Sequence, residues 1–504
     1  MAQGSRVVAS KEERNTQRKP KGTSMLGAIG AQFISKYTNV ALQLVLTAVL
    51  ARLLTPAEFG SAAIVTVFSS FFTILADLGI GPAIIQFKDL GREEHESLFS
   101  FSLVLGLVLA AIFCLASYPI SVIYGDPQLV PLCCVMSVSL FFNALNMVPN
   151  GLMLKNKLFK SIGVRLVLAT LASGLVAIAA ARMGLGVYSL VIQAVTLSTV
   201  VFVWNAFTVR IRLGSFHFGD IIRKIARYSG YQALFQIVNY FSRNLDNLLV
   251  GAIMGSSDLG YYDKAYKLMQ YPNTYLSGLI ASVIQPYLSD YHNKLDFVYR
   301  FWIRMSKFLC FLGVWVTVVC FFGAEGIVRI LYGDQWLASV PVLQMLALSI
   351  GLQMVNSTSG GVFQSVGHTD LLFESGLVCS AISAGLILLG VGVLRDLTGL
   401  GACISLAYLL HFCCTVYFLG WKVFQKKALE IVKEFGRLLL AGVIAAAVGM
   451  AVSYLLAGVA WIIRFVVACL TISLAYLVAC KALGEGETIK FLSYVRQIKG
   501  RDTQ

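Results

Sequence analysis

The chain has 504 residues, of which 58% are hydrophobic and only 13% are charged, and its formal net charge is +15. Soluble domains carry about a quarter charged residues, so this composition excludes a soluble globular protein. Apolar runs of about 20 residues match the length of a helix that crosses the hydrocarbon core, and they exclude a barrel of short alternating strands. The basic residues lie between those runs, which argues against nucleic acid as a partner.

A polar and basic segment, residues 1–24, opens the chain and predicts a cytoplasmic tail without a cleavable signal peptide. The apolar runs that follow predict an all-α integral membrane protein with about fourteen transmembrane helices. The predicted spans lie near residues 25–50, 57–79, 96–118, 129–150, 162–181, 185–206, 229–253, 259–286, 302–323, 339–363, 371–393, 398–420, 436–456 and 459–480.

Lysines and arginines predict the orientation, because cytoplasmic loops are enriched in them. With the N-terminus inside, the large majority of the 40 basic residues fall in the two tails and the inner loops. Both termini and the loops near 155–160 and 210–224 are therefore predicted to be cytoplasmic, and Tyr124 and Tyr332 to lie near the outer surface. The basic residues left for the outer side are Arg52, Arg182, Arg329, Arg395 and Arg464.

An internal repeat divides the chain, with an offset of about 200 residues. Gly30, Gln32, Asn39 and Gly60 recur as Gly230, Gln232, Asn239 and Gly260. The sequence from Val122 to Asp126 recurs as Ile330 to Asp334. Six helices per repeat is an even number, so the repeats enter the membrane from the same side and are expected to be related by an axis along the membrane normal. The predicted organisation is a tail (1–24), an N-lobe of six helices (25–213), a C-lobe of six helices (220–421), two extra helices (432–482) and a second cytoplasmic tail (483–504).

Polar side chains share one face on each of the first two helices of each repeat. Their spacing of three and four positions places them together on a helix. Because polar groups inside a bilayer usually face a cavity, these helices predict a wet central cavity. The predicted lining is Gln32, Lys36, Asn39, Gln43, Gln232, Gln236, Asn239, Arg243, Lys264, Lys267, Gln270 and Asn273, with Asp77 and Asp246 as candidates for binding a coupling ion.

Some of these charges also have a purely structural interpretation. Arg243 and Asp246 are three positions apart and can neutralise each other. Lys264 can reach the outer interface, and Asp77 can cap the turn after its helix. Lys36 lies near the middle of its span and is the hardest to explain without a ligand.

The stretch from Ala51 to Gly60, followed one helix later by the sequence Asp77-Leu78-Gly79, resembles the opening of the Wzx-type polysaccharide transporters. These belong to the multidrug/oligosaccharidyl-lipid/polysaccharide exporter superfamily, and the branch with teichuronic and colanic acid exporters is the most similar. The resemblance covers about residues 25–480. It implies a flippase in the bacterial plasma membrane that moves undecaprenyl-diphosphate-linked oligosaccharide from the inner to the outer leaflet. It also implies alternating access of two lobes, coupling to a proton or sodium gradient, and membrane lipids and polysaccharide polymerase machinery as partners.

The polar residues suit that cargo, since cations offset the charge of a diphosphate and amides and tyrosines suit a glycan. A drug/cation antiporter of the same superfamily would favour buried carboxylates instead. A membrane glycan polymerase would need a large outer loop with catalytic residues, which the short outer loops do not provide. A peptidoglycan lipid-precursor flippase stays open. No catalytic residue, cofactor, metal site or nucleotide-binding loop is expected.

Overall fold

The computed structural model describes residues 25–77, 80–86, 90–215, 236–237 and 239–485, without the side chains of 25–33, 82–83, 279–283 and 286. The predicted tail at 1–24, Gln232 and most of the second tail lie outside the described residues. All regular structure within those ranges is helical. This is what long apolar sequences form in a bilayer, because a helix satisfies every backbone polar group internally.

The N-lobe contains six long helices and one short helix. They are α1 (Met25–Leu53), α2 (Pro56–Asp77), the short α3 (Ile80–Gln86), α4 (Arg92–Tyr124), α5 (Leu129–Lys155), α6 (Phe159–Arg182) and α7 (Tyr188–Val209).

The C-lobe is more broken. Its helices are α8 (239–253), α9 (Ser256–Pro272), α10 (Gly278–Ser289), α11 (Leu295–Leu331), α12 (Ser339–Ala347), α13 (Ile350–Asn356), α14 (Ser359–Ser365), α15 (Thr369–Leu388) and α16 (Leu397–Thr415). A π-helical turn joins α9 to α10, and α15 and α16 each continue into one (Asn273–Ser277, Leu389–Leu394 and Val416–Val423). The chain continues with α17 (Ala428–Leu455) and α18 (Trp461–Ala482).

Among the described residues, 11 helices are long and apolar enough to cross a membrane, or 12 if Ser339–Ala347 and Ile350–Ser365, bent by 43°, form one span. All of them overlap predicted spans. The other two predicted spans, near 229–253 and 259–286, correspond to α8, which is described only in part, and to α9 with α10. The all-α membrane fold is thereby confirmed, and the number fourteen stays a prediction.

The last two helices pack on α11 of the C-lobe through glycines. A Cβ atom added to Gly326 would overlap the ring of Phe465, and one added to Gly442 would overlap Val314. Small residues at such positions let helices in a membrane approach closely, and van der Waals packing then holds them together. The extra pair is thus attached to one lobe.

The buried apolar side chains form three clusters in the described part of the chain. One cluster contains residues of both lobes, among them Ala51, Phe59, Tyr262 and Trp336. A second lies within the N-lobe, and a third joins the C-lobe to α17 and α18. The shared cluster joins the lobes where α1 ends and α2 and α9 begin, which we call the outer end, after the predicted orientation.

Candidate functional site

At the outer end, α2 and α9 cross in direct contact at two glycines. A Cβ atom added to Gly60 would overlap the carbonyl oxygen of Ser256, and one added to Gly260 would overlap that of Pro56. The two contacts are reciprocal, because Pro56 and Gly60 correspond to Ser256 and Gly260 in the repeat. A two-fold relation between equivalent helices produces this kind of self-complementary contact.

The stretch from Ala51 to Gly60, on which the family resemblance rests, contains the first residues of α2. The Thr55 backbone N–H and hydroxyl both donate to Glu58 Oε2, at 2.6 and 2.9 Å, and the Glu58 N–H donates to Thr55 Oγ1 at 3.3 Å. Pro56 occupies the first helical position, where a missing N–H costs nothing. This capping box fixes where the helix begins and so places Gly60 at the crossing.

Lys264 lies inside this crossing. Its side chain is buried, and its Nζ atom lies 3.7 Å from the centroid of the Phe59 ring and about 6 Å from those of Tyr332 and Trp336. The carboxylate of Asp263 lies 3.9 Å from the same nitrogen. Lys264 is predicted to line an open cavity or to reach the outer interface. The structure instead places it between the lobes, in a cage of aromatic rings that attracts a cation.

The turn after α11 closes over the end of α1. The Arg52 guanidinium donates to the carbonyl oxygen of Ile330 at 2.8 Å, and the Trp336 indole donates to that of Ala51 at 2.8 Å. The Gln335 side-chain amide donates to Ala51 as well. We call the glycine crossing, the Lys264 cage and this turn the outer seal.

Below the outer seal, α1 exposes two different faces. Lys36 and Gln43 are exposed and lie within about 20° of each other around the helix axis. Ile34 and Val45, which are 70% and 60% exposed, lie on roughly the opposite side. An apolar exposed face suits lipid, so the polar face points to water or a ligand.

Asn39 belongs to the same polar face but is buried. Its Oδ1 atom has no hydrogen-bond partner in the described part of the chain. A buried acceptor without a partner is costly and marks a place where water or a ligand hydroxyl fits. The side chain of Gln32 is among those that the structure does not describe.

The equivalent helix α8 also exposes polar residues. Asn239 and Arg243 are exposed and Gln236 is half-buried. One turn nearer the outer end, Asp246 is buried and accepts a hydrogen bond of 2.5 Å from the Tyr262 hydroxyl. Within the described ranges no ion pair joins Arg243 to Asp246, so the predicted neutralisation of these two charges is not observed.

The remaining predicted residues lie on α2 and α9. Lys267 is exposed and pairs with Asp263 at 2.7 Å, an acidic partner that the sequence interpretation overlooked despite its i, i+4 spacing. Gln270 and Asn273 are half-buried. Asp77 lies 3.5 Å from the backbone nitrogen of Gly81, as expected if it caps the turn after its helix, and forms no ion pair with a cation among the described residues.

The cations lie at two depths. At about 1.5 Å per residue, Lys36 lies roughly 25 Å below the outer end of α1, whereas Arg243 and Lys267 lie roughly 15 Å below the outer ends of α8 and α9. Measured along their own helices, Lys36 therefore lies deeper below the outer seal than Arg243 and Lys267, which gives a lower and an upper cation level. None of the described residues forms a group able to hold a metal ion.

Comparison with known proteins gives consistent sequence matches. A family model described as "Polysaccharide biosynthesis protein" matches residues 49–341. The succinoglycan biosynthesis transport protein ExoT of Rhizobium meliloti is 24% identical over 371 residues, covering 72% of this chain and 73% of ExoT. The lipopolysaccharide biosynthesis protein WzxC of Escherichia coli is 25% identical, covering 66% and 68%. The teichuronic acid biosynthesis protein TuaB of Bacillus subtilis is 22% identical, covering 68% and 73%.

Solved structures show the same fold. The lipid II flippase MurJ in an inward closed conformation has a TM-score of 0.72 at 15% identity, covering 92% of this chain and 99% of MurJ. An inward-facing multidrug resistance transporter of the MATE family has a TM-score of 0.58 at 17% identity, covering 79% and 95%. At such identities the likeness concerns the fold alone.

Proposed function

Because this chain belongs to the polysaccharide biosynthesis protein family, we propose that it moves undecaprenyl-diphosphate-linked oligosaccharide from the inner to the outer leaflet by alternating access of its two lobes. The broader prediction of a membrane flippase for polysaccharide export is confirmed by the family match and by the relatives. The relatives also support two broader statements: the protein lies in a bacterial inner membrane, and its substrate is a lipid-linked saccharide. The particular lipid, the direction and the mechanism are parts of the proposal.

The observation that carries the proposal is the pair of exposed polar faces under a closed outer end. Lys36 and Arg243 are exposed on helices that correspond in the two lobes, while the lobes are packed together above them. A cation at the depth of the bilayer costs roughly 2.5–3.5 kcal/mol on insertion scales. An anionic ligand offsets that cost, whereas packing alone does not need the charge.

The two cation levels suggest an order of events. The diphosphate first meets Lys36 near the inner side and then moves to the level of Arg243 and Lys267, where closure of the inner side and opening of the seal release it outward. Asn39, Gln43, Asn239 and Gln270 offer amides to the glycan. The polyprenyl chain stays in the bilayer, against the apolar face of α1.

Several finer parts of the proposal concern the surroundings of the site. Both termini lie in the cytoplasm, as the basic residues predict. Two carboxylates stay candidates for binding a coupling ion: Asp246, which is buried and accepts hydrogen bonds from the Tyr262 hydroxyl and the Asn247 N–H, and Asp77 at the end of α2. Polymerase machinery receives the cargo outside.

The test replaces the cations without changing side-chain volume much. In a strain that makes the cognate glycan but lacks its own flippase, Lys36→Met and Arg243→Met each reduce surface glycan at least tenfold. Lys36→Arg keeps part of the activity, because positive charge matters more than geometry for a diphosphate. Lys160→Met, which changes an exposed lysine in the first turn of α6, serves as control.

Protein level in the membrane separates the possible outcomes. Normal surface glycan from the Lys36→Met, Arg243→Met double variant refutes the role of these cations. Loss of the double variant from the membrane shows that the two charges serve folding instead, and this outcome also contradicts the proposal.

A further inference from the structure

One carboxylate oxygen of Asp263 lies near two lysines that differ strongly in exposure. The Asp263 Oδ2 atom is 2.7 Å from Lys267 Nζ and 3.9 Å from Lys264 Nζ. The Lys264 side chain is 3% exposed, whereas the Lys267 side chain is 51% exposed. The carboxylate therefore connects a lysine that is buried in the outer seal with a lysine that a ligand can reach.

Lys267 lies on the side of α9 that is turned towards the N-lobe. It follows Gly260 by seven positions, so the two residues lie within about 20° of each other around the helix axis. A Cβ atom added to Gly260 would overlap the backbone of Pro56 in the N-lobe. Further along the chain, the Tyr37 hydroxyl of α1 donates to the backbone carbonyl oxygen of Tyr275 at 3.1 Å. Lys267 thus lies between two contacts that join the lobes.

The hydrogen bonding of Asp263 depends on Lys267. In the part of the chain that the structure describes, the Lys267 ammonium is the only group that donates a hydrogen bond to this buried carboxylate. Asp246, by contrast, accepts from a hydroxyl and from a backbone N–H. A buried carboxylate costs free energy unless a cation or hydrogen bonds offset its charge. Any anion that takes Lys267 must therefore compete with Asp263.

We propose that Asp263 is a positioning residue that competes with the cargo diphosphate for Lys267 and so promotes its release. The inference rests on the proposed function, in which the diphosphate reaches Lys267. As a phosphate oxygen takes Lys267, the carboxylate moves to Lys264, which lies 3.9 Å away in the same helix. When the seal opens, the return of Asp263 to Lys267 displaces the diphosphate. Asp263 acts through Lys267 and does not touch the cargo.

This competition predicts a response that a structural role for Asp263 does not predict. Without the carboxylate, Lys267 is free, so the diphosphate binds more tightly and leaves more slowly. If Asp263 only held the helices in place, its loss would weaken binding and transport together. Affinity and turnover therefore change in opposite directions only if Asp263 competes with the cargo.

Binding of farnesyl diphosphate to the purified full chain in detergent measures the competition. Asp263→Asn is expected to lower the Kd about fivefold, the size of one partly exposed ion pair. The same substitution in a Lys264→Met background is expected to lower the Kd by a similar factor, without leaving a buried ammonium unpaired. Lys267→Met is expected to raise the Kd about fivefold, and adding Asp263→Asn to it is expected to change the Kd less than twofold.

Flipping of a diphosphate lipid in liposomes measures the release. At saturating cargo, Asp263→Asn is expected to slow flipping about threefold although it binds the cargo more tightly. Tighter binding with unchanged or faster flipping overturns the role in release.

Asp258→Asn is the matched control, because it removes the same charge from the first turn of the same helix. Its Kd is expected to stay within twofold of wild type, and an equal fall there overturns the proposal, because general charge then explains the tighter binding. Weaker binding in Lys267→Met, with no change in either Asp263→Asn comparison, overturns this inference and leaves the proposed function standing. Unchanged binding in Lys267→Met contradicts the upper cation level itself and overturns both.

Discussion

The helices α2 and α9 occupy the same position in the two repeats, yet they differ in chemistry. Their backbones cross through equivalent glycines, Gly60 and Gly260. In α2, Thr66 and Thr73 donate to carbonyl oxygens of their own helix, so their polarity is satisfied locally. In α9, the charged residues Asp263, Lys264 and Lys267 cluster within two turns.

This difference indicates that the two lobes share the backbone geometry of the repeat but carry different polar and charged side chains on it. Lys264 corresponds to Ile64, a buried apolar residue. The aromatic ring nearest to Lys264 comes from the other lobe, at Phe59. At the closed outer end, the glycine crossing is thus the same in both lobes, whereas the buried charge of Lys264 occurs in one lobe only. Separate substitutions can therefore disrupt the crossing or remove the charge.

The largest effect is expected from filling the symmetric crossing. Gly60→Ala and Gly260→Ala each place a methyl group against a backbone carbonyl, which cannot rotate away, so the outer end cannot close. Transport is expected to fall at least tenfold in both. On a background without the eleven native cysteines, a cysteine in place of Gln43 becomes reactive to an impermeant reagent from outside.

Gly436→Ala is the control, because no atom lies near the added methyl group. A strong effect at Gly60 with none at Gly260 would contradict the two-fold relation between α2 and α9.

A smaller effect is expected from removing the charge of Lys264, which has no counterpart in α2. Lys264→Met removes a buried ammonium, and Asp263 keeps Lys267 as its partner at 2.7 Å, so no unpaired charge is left behind and the closed outer end is expected to become more stable. Transport is expected to slow about threefold to tenfold, with lower labelling of the cysteine at position 43 from outside. Ile64→Met, the equivalent change in α2, should leave both measurements near wild type.

Increased labelling in Lys264→Met would reverse this interpretation. It would mean that the contact between the ammonium and the Phe59 ring holds the lobes together.

The smallest effect is expected at the turn over α1. Gln335→Ala removes the amide that donates to Ala51, and one such hydrogen bond contributes roughly 1 kcal/mol. Outside labelling of the cysteine at position 43 should rise by up to about fivefold. Gln364→Ala, an exposed glutamine of α14, is the control, and an equal rise there would show that the turn has no role.

Much of the fold could be predicted from the sequence, because hydropathy and span length are local properties. The apolar runs near 302–323 and 398–420, for example, are observed as α11 and as α16 with its continuation. The breaks in the eighth and tenth predicted spans, at Asn273–Ser277 and between α12 and α13, were not predicted, since they depend on packing between helices.

The site was predictable in part. The exposed faces with Lys36 and Arg243 follow from helical spacing, which periodicity detects. The cage around Lys264 does not, because Phe59 and Trp336 are far apart in the sequence and meet only when the lobes pack. Asp263 was detectable from its spacing to Lys267, and the reciprocal contact of Gly60 and Gly260 from the repeat itself.

The most direct measurement of the central claim uses purified protein in liposomes and two cargo lipids that differ only in carrying one phosphate or two. Wild-type protein is expected to flip the diphosphate lipid about tenfold faster than the monophosphate lipid. The Lys36→Met, Arg243→Met variant is expected to lose that preference, because no cation then faces the second phosphate on α1 or α8. A variant that keeps the full preference for the diphosphate would contradict the account.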